Sequence, residues 1–243
     1  TCAAKVCNSP AFVHVHNIQQ MIGTRSECKQ CGTCCRKGGP VLHRQDLELL
    51  RQGRIRYEHL ITIRKEEPVL LPFDEEPVPA KQEMIKISGR DGDWTCRFLD
   101  PGRNACTIYS FRPLECRLLK CWDTAALEEI INQDTLARGD IINPLHPIHE
   151  FIDEQEQECS CRDLQGCISR LTASPPNEEM LTELTRLARQ DLELRNRATV
   201  RFDMSVELEL FFFGRPLFTI MKAYGLHVYE QHNNIHIAFS KHA

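Results

Sequence analysis

The chain has 243 residues, 42% of them hydrophobic and 26% charged, with 13 cysteines, a profile of a folded chain that excludes a disordered tail or a collagen-like rod. Its formal charge of −4 provides no basic field for phosphate backbones, so no nucleic-acid partner is expected. The longest apolar stretch, Leu208 to Phe218, is broken by Glu209, Gly214, Arg215 and Pro216, short of the roughly 18 residues a membrane span needs. A cytoplasmic location is expected, since the start Thr1-Cys2-Ala3-Ala4-Lys5 lacks the basic stretch and apolar core of a secretory signal.

In chain order, Val13, Val15 and Ile18 alternate with His14 and His16 and predict a strand or arm with outward-facing histidines, with Cys2 and Cys7 standing apart from the other cysteines. Cys28, Cys31, Cys34 and Cys35 follow within eight residues. Two residues between cysteines let a tight turn aim both sulfurs at one ion while backbone N–H groups offset thiolate charge, and Gly32 removes the side-chain obstacle to that turn. Adjacent Cys34 and Cys35 do not easily reach one ion from neighbouring positions, which hints at two centres. Arg44 to Gln52 reads as a short helix with Leu47 and Leu50 on one face and Gly53 as its stop. Leu70 to Pro79, carrying three prolines, is expected to loop over the surface.

Lys81 to Ser88, with Ile85 and Ile87 on one face, predicts a strand beside a hairpin over residues 94 to 109. In that hairpin a three-residue connection sets Cys96 opposite Cys106 as co-ligands, whereas a four-residue turn puts them on opposite faces. Pro113 marks a helix start that carries Cys116 towards Cys121, and eight cysteines then suffice for two four-thiolate sites. Asp123 caps an expected helix from about Thr124 to Asn132 with Leu127, Ile130 and Ile131 inward. Asn143 to Glu150 is expected to be a rigid loop with His146 and His149. Cys159, Cys161 and Cys167 form a further group that is either a third metal site or a set of packed thiols.

Ser174 and Pro175 open the clearest helix, with Met180, Leu181, Leu184, Leu187 and Leu194 inward and an end near Arg197. Val206 to Tyr224 predicts two short helices broken at Gly214-Arg215-Pro216, with Phe211 to Phe213 serving as core or interface. Leu226 to Glu230 and Ile235 to Phe239 flank His232-Asn233-Asn234 as a terminal hairpin. The expected architecture is α+β: a cysteine-rich metal-binding lobe over residues 1–170 with a hairpin and short helices, and a mainly helical part over 171–243 packed on it.

The absence of cysteine after Cys167 argues against random core thiols, and the length and odd cysteine count argue against a disulfide framework. The run Cys28-x-x-Cys31-Gly-x-Cys34-Cys35, then Cys96-x-Phe98-Leu99-Asp100, Cys106-x-Ile108-Tyr109 and Arg112-Pro113-x-x-Cys116-Arg117, resembles the cysteine-cluster family named after its CxxCxxCC motif. The resemblance covers residues 25 to 122 and implies zinc or iron chelation by Cys28, Cys31, Cys34, Cys35, Cys96, Cys106 and Cys116. Cys121, Cys159, Cys161 and Cys167 are added as ligands by spacing alone.

Iron–sulfur clusters of the 4Fe–4S type, serving electron transfer or a partner redox enzyme, are the leading expectation, because three cysteines at this spacing supply three corners of such a cluster. A zinc-stapled protein-interaction module is the alternative. An iron-dependent enzyme comes third: no serine elbow, HExxH, Walker loop or dinucleotide fingerprint is present, and the acid–base residues on offer are His43, His59, His146 and Glu150.

Overall fold

Between residues 27 and 147 the apolar runs are short and interrupted by turns, and short elements result. The computed structural model describes residues 27–72, 75–90, 92–173, 178–231 and 234–239. The expected N-terminal strand, Cys2, Cys7, His14, His16, the Ser174-Pro175 helix start and His232-Asn233 lie outside the described residues.

The first half runs α1 (Thr33–Arg36), α2 (Leu47–Arg51, preceded by a 3-10 turn at Arg44–Asp46), β1 (Leu60–Ile63), β2 (Pro68–Val69), β3 (Val78–Pro79), β4 (Met84–Ile87), β5 (Leu99–Asp100), β6 (Ala105–Cys106), α3 (Leu114–Leu118), α4 (Ala125–Glu128) and α5 (Arg138–Ile141). The second half is α6 (Ile148–Glu158), α7 (Cys161–Ala173), α8 (Glu178–Phe202), α9 (Val206–Phe213), α10 (Leu217–Lys222) and a terminal hairpin of β7 (Leu226–Gln231) and β8 (Asn234–Phe239). The class is α+β, with four separate two-stranded antiparallel ladders among the described residues. No helix among those residues is long and apolar enough to cross a membrane.

Several expectations are corrected. β4 pairs with β1, from Leu60↔Ile87 to Ile63↔Met84, rather than with the 94–109 segment, which the chain just beyond β4 meets through a Gly89↔Cys96 bridge and Arg97 N–H to the Ser88 carbonyl at 3.2 Å. The physical reason is β1 itself: Leu60-Ile61-Thr62-Ile63 is buried at every position, and such a run seeks a partner that is equally apolar. The helix expected over 124–132 stops at Glu128, and Asn132 and Asp134 then take positive φ values of 62° and 48°. The segment read as a rigid loop over 143–150 turns into α6 at Ile148, where Ile148, Phe151, Ile152 and Gln155 form the buried stripe. α7 follows with Cys161, Leu164, Cys167, Ile168 and Leu171 inward, so the third cysteine group lies within a helix core stripe.

One apolar core joins Leu42, Leu60, Ile85, Phe98, Ile108 and Phe151 to Leu194, Ala198, Phe211 and Phe213, thereby crossing the expected boundary at residue 170. α9 lies over β1, where Tyr57 stacks on Phe211 with centroids 4.8 Å apart and the Thr62 hydroxyl donates to the Phe211 carbonyl. A network of buried charges reinforces the junction. Glu156 receives Arg64 at 2.9 Å and Arg138 at 3.0 Å, and Arg138 also grips Glu83 and donates to the Phe212 carbonyl at 2.6 Å. Arg195, 2% exposed, is paired with Asp191 at 3.0 Å and donates to the carbonyls of Phe213, Gly214 and Arg215. It thereby satisfies the carbonyl end of α9, which solvent does not reach.

Replacing Arg195 by Met therefore leaves Asp191 buried without its cation and removes a donor from three carbonyls, of which Phe213 keeps another, Gln155 Nε2 at 3.2 Å, and is expected to cost about 3–5 kcal/mol in denaturant unfolding. Replacing Arg197, whose pair with Glu154 is solvent-exposed, is expected to cost no more than about 1 kcal/mol in the same measurement.

Candidate metal centre

The cysteine loop is shaped by its backbone. Gly32 precedes α1 with φ +72°, and Cys34 and Cys35 sit side by side on that single helical turn. A Cβ on Gly32 would lie 2.6 Å from the Asn104 Oδ1, so glycine there permits both the left-handed turn and the approach of the β5–β6 connection. Asn104 Nδ2 donates to the Cys31 carbonyl at 2.8 Å, Arg36 Nη1 donates to the same carbonyl at 3.2 Å, and Arg36 also donates to Asn104 Oδ1. The loop and the hairpin are thereby clamped.

Cys96 is brought in by a second close approach. Its N–H donates to the Cys35 carbonyl at 2.7 Å, and it bridges to Gly89 across a turn so tight that a Cβ on Gly89 would fall 1.7 Å from the Asp93 carbonyl oxygen. The hairpin connection has four residues, Pro101 to Asn104, and Leu99 rather than Cys96 stands opposite Cys106. Neither anticipated register holds, because a turn through Arg97 and Phe98, closed by Leu99 N–H to Cys96 O at 2.9 Å, ends the strand before Cys96. Cys96 and Cys106 still lie within electrostatic reach of each other. Pro113 opens α3, and Cys116 faces the same space.

Five reduced thiols, Cys34, Cys35, Cys96, Cys106 and Cys116, thus share one electrostatic neighbourhood. The Cys35 thiol donates to the Cys34 sulfur, and this donation, against burial, lowers Cys34 to about 6. Cys35 is pushed far up by the same bond, by burial and by the charge on Cys34, Cys96 and Cys106. Burial raises Cys96, with Cys106 and Cys34 adding to it, and burial raises Cys106 and Cys116 likewise. Cys34 is thus favoured as the thiolate while its thiol neighbours are held towards the protonated form.

Two cations border the group. Arg112 stacks over Tyr109 at 3.8 Å, donates to the carbonyls of Tyr109 and Cys116, and opposes the charge of Cys34 and Cys106. Lys86 approaches from β4 on the side of Cys96 and Cys116.

Cys28, Cys31 and Cys121 are exposed. Gln30 N–H donates to Cys28 Sγ at 3.4 Å, and Cys31 Sγ lies 3.2 Å from the Thr33 hydroxyl. Cys159, Cys161 and Cys167 are 0–3% exposed within an apolar cluster, where burial raises all three, Cys159 and Cys161 to about 12. The nearby charges that act on them come from Arg64, Glu67, Asp191 and Glu183 rather than from other thiols, so the structure does not bring this group together as a ligand set.

The histidines serve elsewhere. His43 is 2% exposed, bonded to the Gln133 carbonyl and 3.5 Å from Glu115; burial pulls it down, but Glu115 and Gln133 hold it above its ordinary value. His59 packs edge-on to Phe98, where burial lowers it, His146 lies against Phe202 and Phe212, and Glu150 pairs with Arg201.

Among the described residues no three His, Cys, Asp or Glu side chains stand at metal-ligand spacing. The donor set nevertheless fits zinc or iron in its chemistry: soft sulfurs gathered from four chain segments, with cations beside them to offset thiolate charge. Sequence reasoning missed Lys86 and Asn104. The strand periodicity at 81–88 could have placed Lys86 on the face opposite Ile85 and Ile87, whereas nothing in the sequence marked Asn104 as the partner of Cys31.

Comparison with family models matches residues 27–160 to CxxCxxCC, described as a "putative zinc- or iron-chelating domain". No curated protein and no solved structure matches the chain. Gly32→Ala is expected to lower stability by about 1–2 kcal/mol, read as a fall in denaturation midpoint, because it forces a Cβ into a left-handed turn against Asn104.

Proposed function

Since the chain belongs to the CxxCxxCC family of zinc- or iron-chelating domains, we propose that it carries iron–sulfur chemistry on these thiols, serving electron transfer or a partner redox enzyme. Eight cysteines would supply two four-thiolate centres, Cys34, Cys35, Cys96, Cys106 and Cys116 from the inner side and Cys28, Cys31 and Cys121 from the outer.

The observation that carries this reading is the number of thiols: five already share one neighbourhood, one more than any single four-thiolate centre uses, and this surplus over one structural staple suits a protein that holds more than one centre. Their position also suits electron exchange with a partner protein, because Cys28, Cys31 and Cys34 are exposed. The bound cluster would supply one-electron redox chemistry. The chain's own contribution is to gather the sulfurs, to keep Cys96 and Cys116 out of water, and to set Arg112 and Lys86 against the thiolate charge.

A second reading, zinc stapling, is favoured by one specific feature. The elements that bear the thiols are two to five residues long, and such pieces gain order when an ion ties them together. Metal and acid-labile sulfide analysis of protein purified without oxygen separates the two. Iron with matching sulfide and broad absorption near ~400 nm is expected for clusters, whereas colourless protein with stoichiometric zinc overturns the cluster reading. In either case Cys34→Ser and Cys96→Ser are expected to lose the metal, while Cys167→Ala, which changes a packed thiol, is expected to retain full metal content.

A further inference from the structure

Charge is divided unevenly along the chain. Residues 1–122, which hold the cysteine loop and the thiol-bearing hairpin, contain 19 lysines and arginines against 14 aspartates and glutamates, whereas residues 123–243 contain 11 against 20. The overall −4 thus conceals a balance of +5 in one part and −9 in the other. Between residues 101 and 122 the imbalance is sharpest, with Arg103, Arg112, Arg117 and Lys120 against a single carboxylate, Glu115. That carboxylate is engaged inside the fold, accepting from Val41 N–H at 2.8 Å and lying 3.5 Å from His43.

The cations of this stretch are carried by α3 and by a 3-10 turn at Tyr109–Phe111. Arg54 lies over the Phe111 ring at 5.3 Å, Arg112 lies over the Tyr109 ring at 3.8 Å, and Arg117 Nη1 donates to the Arg112 carbonyl at 3.0 Å. Arg54 and Arg117 are exposed and Arg112 is half-buried. Among the described residues none of the three forms an ion pair, whereas Arg44, Arg51, Arg56 and Arg103, exposed in the same half, pair with Asp140, Glu48, Glu58 and Asp100. Residues 1–26 contain no aspartate or glutamate, so that segment supplies no carboxylate for them either.

We propose that Arg54, Arg112 and Arg117, set on Phe111 and Tyr109, form a docking surface for an acidic segment of a partner protein. Guanidinium forks match carboxylates two hydrogen bonds at a time, and rings beneath the forks restrict them beforehand, so less freedom is lost on binding. The surface adjoins the thiols: Arg112 Nη1 donates to the Cys116 carbonyl at 3.4 Å, and exposed Cys121 follows Lys120 in the same stretch. A protein segment suits it better than a nucleic acid, because a phosphate polymer running past three arginines meets the field of the −9 part, which a short acidic segment avoids. The inference rests on the partner-protein reading above and gives that partner its chemistry.

The test uses the full-length protein and a fluorescently labelled oligoglutamate peptide, followed by anisotropy, with single-stranded oligothymidylate of equal charge as a second probe. Wild type is expected to bind the peptide, and less tightly as salt rises. Arg54→Gln/Arg117→Gln is expected to bind it about five- to tenfold more weakly, whereas Arg51→Gln/Arg56→Gln, which removes two exposed but paired arginines, is expected to change binding by less than about twofold. Arg54→Lys/Arg117→Lys keeps the charge and loses the forks, and its affinity is expected between those of wild type and the neutral variant.

No binding by wild type, or equal losses in the two neutral double variants, overturns the inference, and tighter binding of oligothymidylate overturns it in favour of a phosphate ligand. Should the Arg54→Gln/Arg117→Gln protein not fold, wild-type affinity in the lysine variant overturns recognition by the forks. Metal and sulfide analysis of the same preparations separates this result from the cluster reading. Peptide binding by colourless zinc protein upholds the docking surface while the cluster reading fails, and cluster-bearing protein that ignores the peptide does the reverse.

Discussion

Thiols crowded into one space cannot all ionise unless a cation stands among them. Cys34 is lowered chiefly because the Cys35 thiol donates to it, with backbone N–H groups and Arg112 adding to the effect, and its charge helps to raise Cys35, Cys96, Cys106 and Cys116 above their ordinary values. The first half of the fold is arranged around this frustration. Its strands are two to four residues long and its helices four or five, too short to be ordered by their own hydrogen bonds. What aligns them among the described residues is a set of backbone approaches: Cys96 N–H to Cys35 O, Asn104 to Cys31 O, and the bridges from Val41 to Lys86 and from Gly89 to Cys96. Each fixes a cysteine-bearing segment, or the strand behind it, against its neighbour.

The second half meets the opposite problem and solves it with charge. Long amphipathic helices have ample apolar surface, but the break at Gly214-Arg215-Pro216 exposes carbonyls inside the protein. Arg195 takes three of these, Asp191 balances Arg195 and also accepts from Gln155 and Leu217 N–H, and Arg215 turns to Glu67 at 2.6 Å. Glu67 lies in the first half, as do Arg64 and Glu83. The ion-pair network therefore ties the cysteine-bearing segments to the helices by groups that cannot be separated without leaving a buried charge.

The sequence displayed the centre more clearly than it displayed the fold. Cysteine spacing and the phrase from Cys96 to Cys116 pointed to the family, because ligand motifs are local and are written in short intervals. The α+β class, the break before Pro216 and the terminal hairpin were legible for the same reason. Three things were hidden. β1 carries too few residues to separate a buried strand from a helix turn. α6 and α7 were obscured by treating Cys161 and Cys167 as ligands first, although counting them as apolar completes the stripe with Leu164, Ile168 and Leu171. Asn104 acts through a bond to a residue 73 positions away, which no local pattern encodes.

The two halves are also energetically linked, because Cys96, Phe98 and Ile108 belong to the same apolar core as Leu194, Phe211 and Phe213. A metal that draws the thiols together must draw Cys96 with them, and Cys96 cannot shift without its neighbours in that core. Any binding free energy gained at those sulfurs would therefore be shared with the packing of α8 and α9 on β1, rather than confined to the 28–35 cysteine loop. The converse holds as well. Arg195, through the carbonyls of Phe213, Gly214 and Arg215, holds α8 against the end of α9, and both helices contribute to the apolar core that contains Cys96, so loosening that grip is expected to reach the cysteine-bearing segments as well.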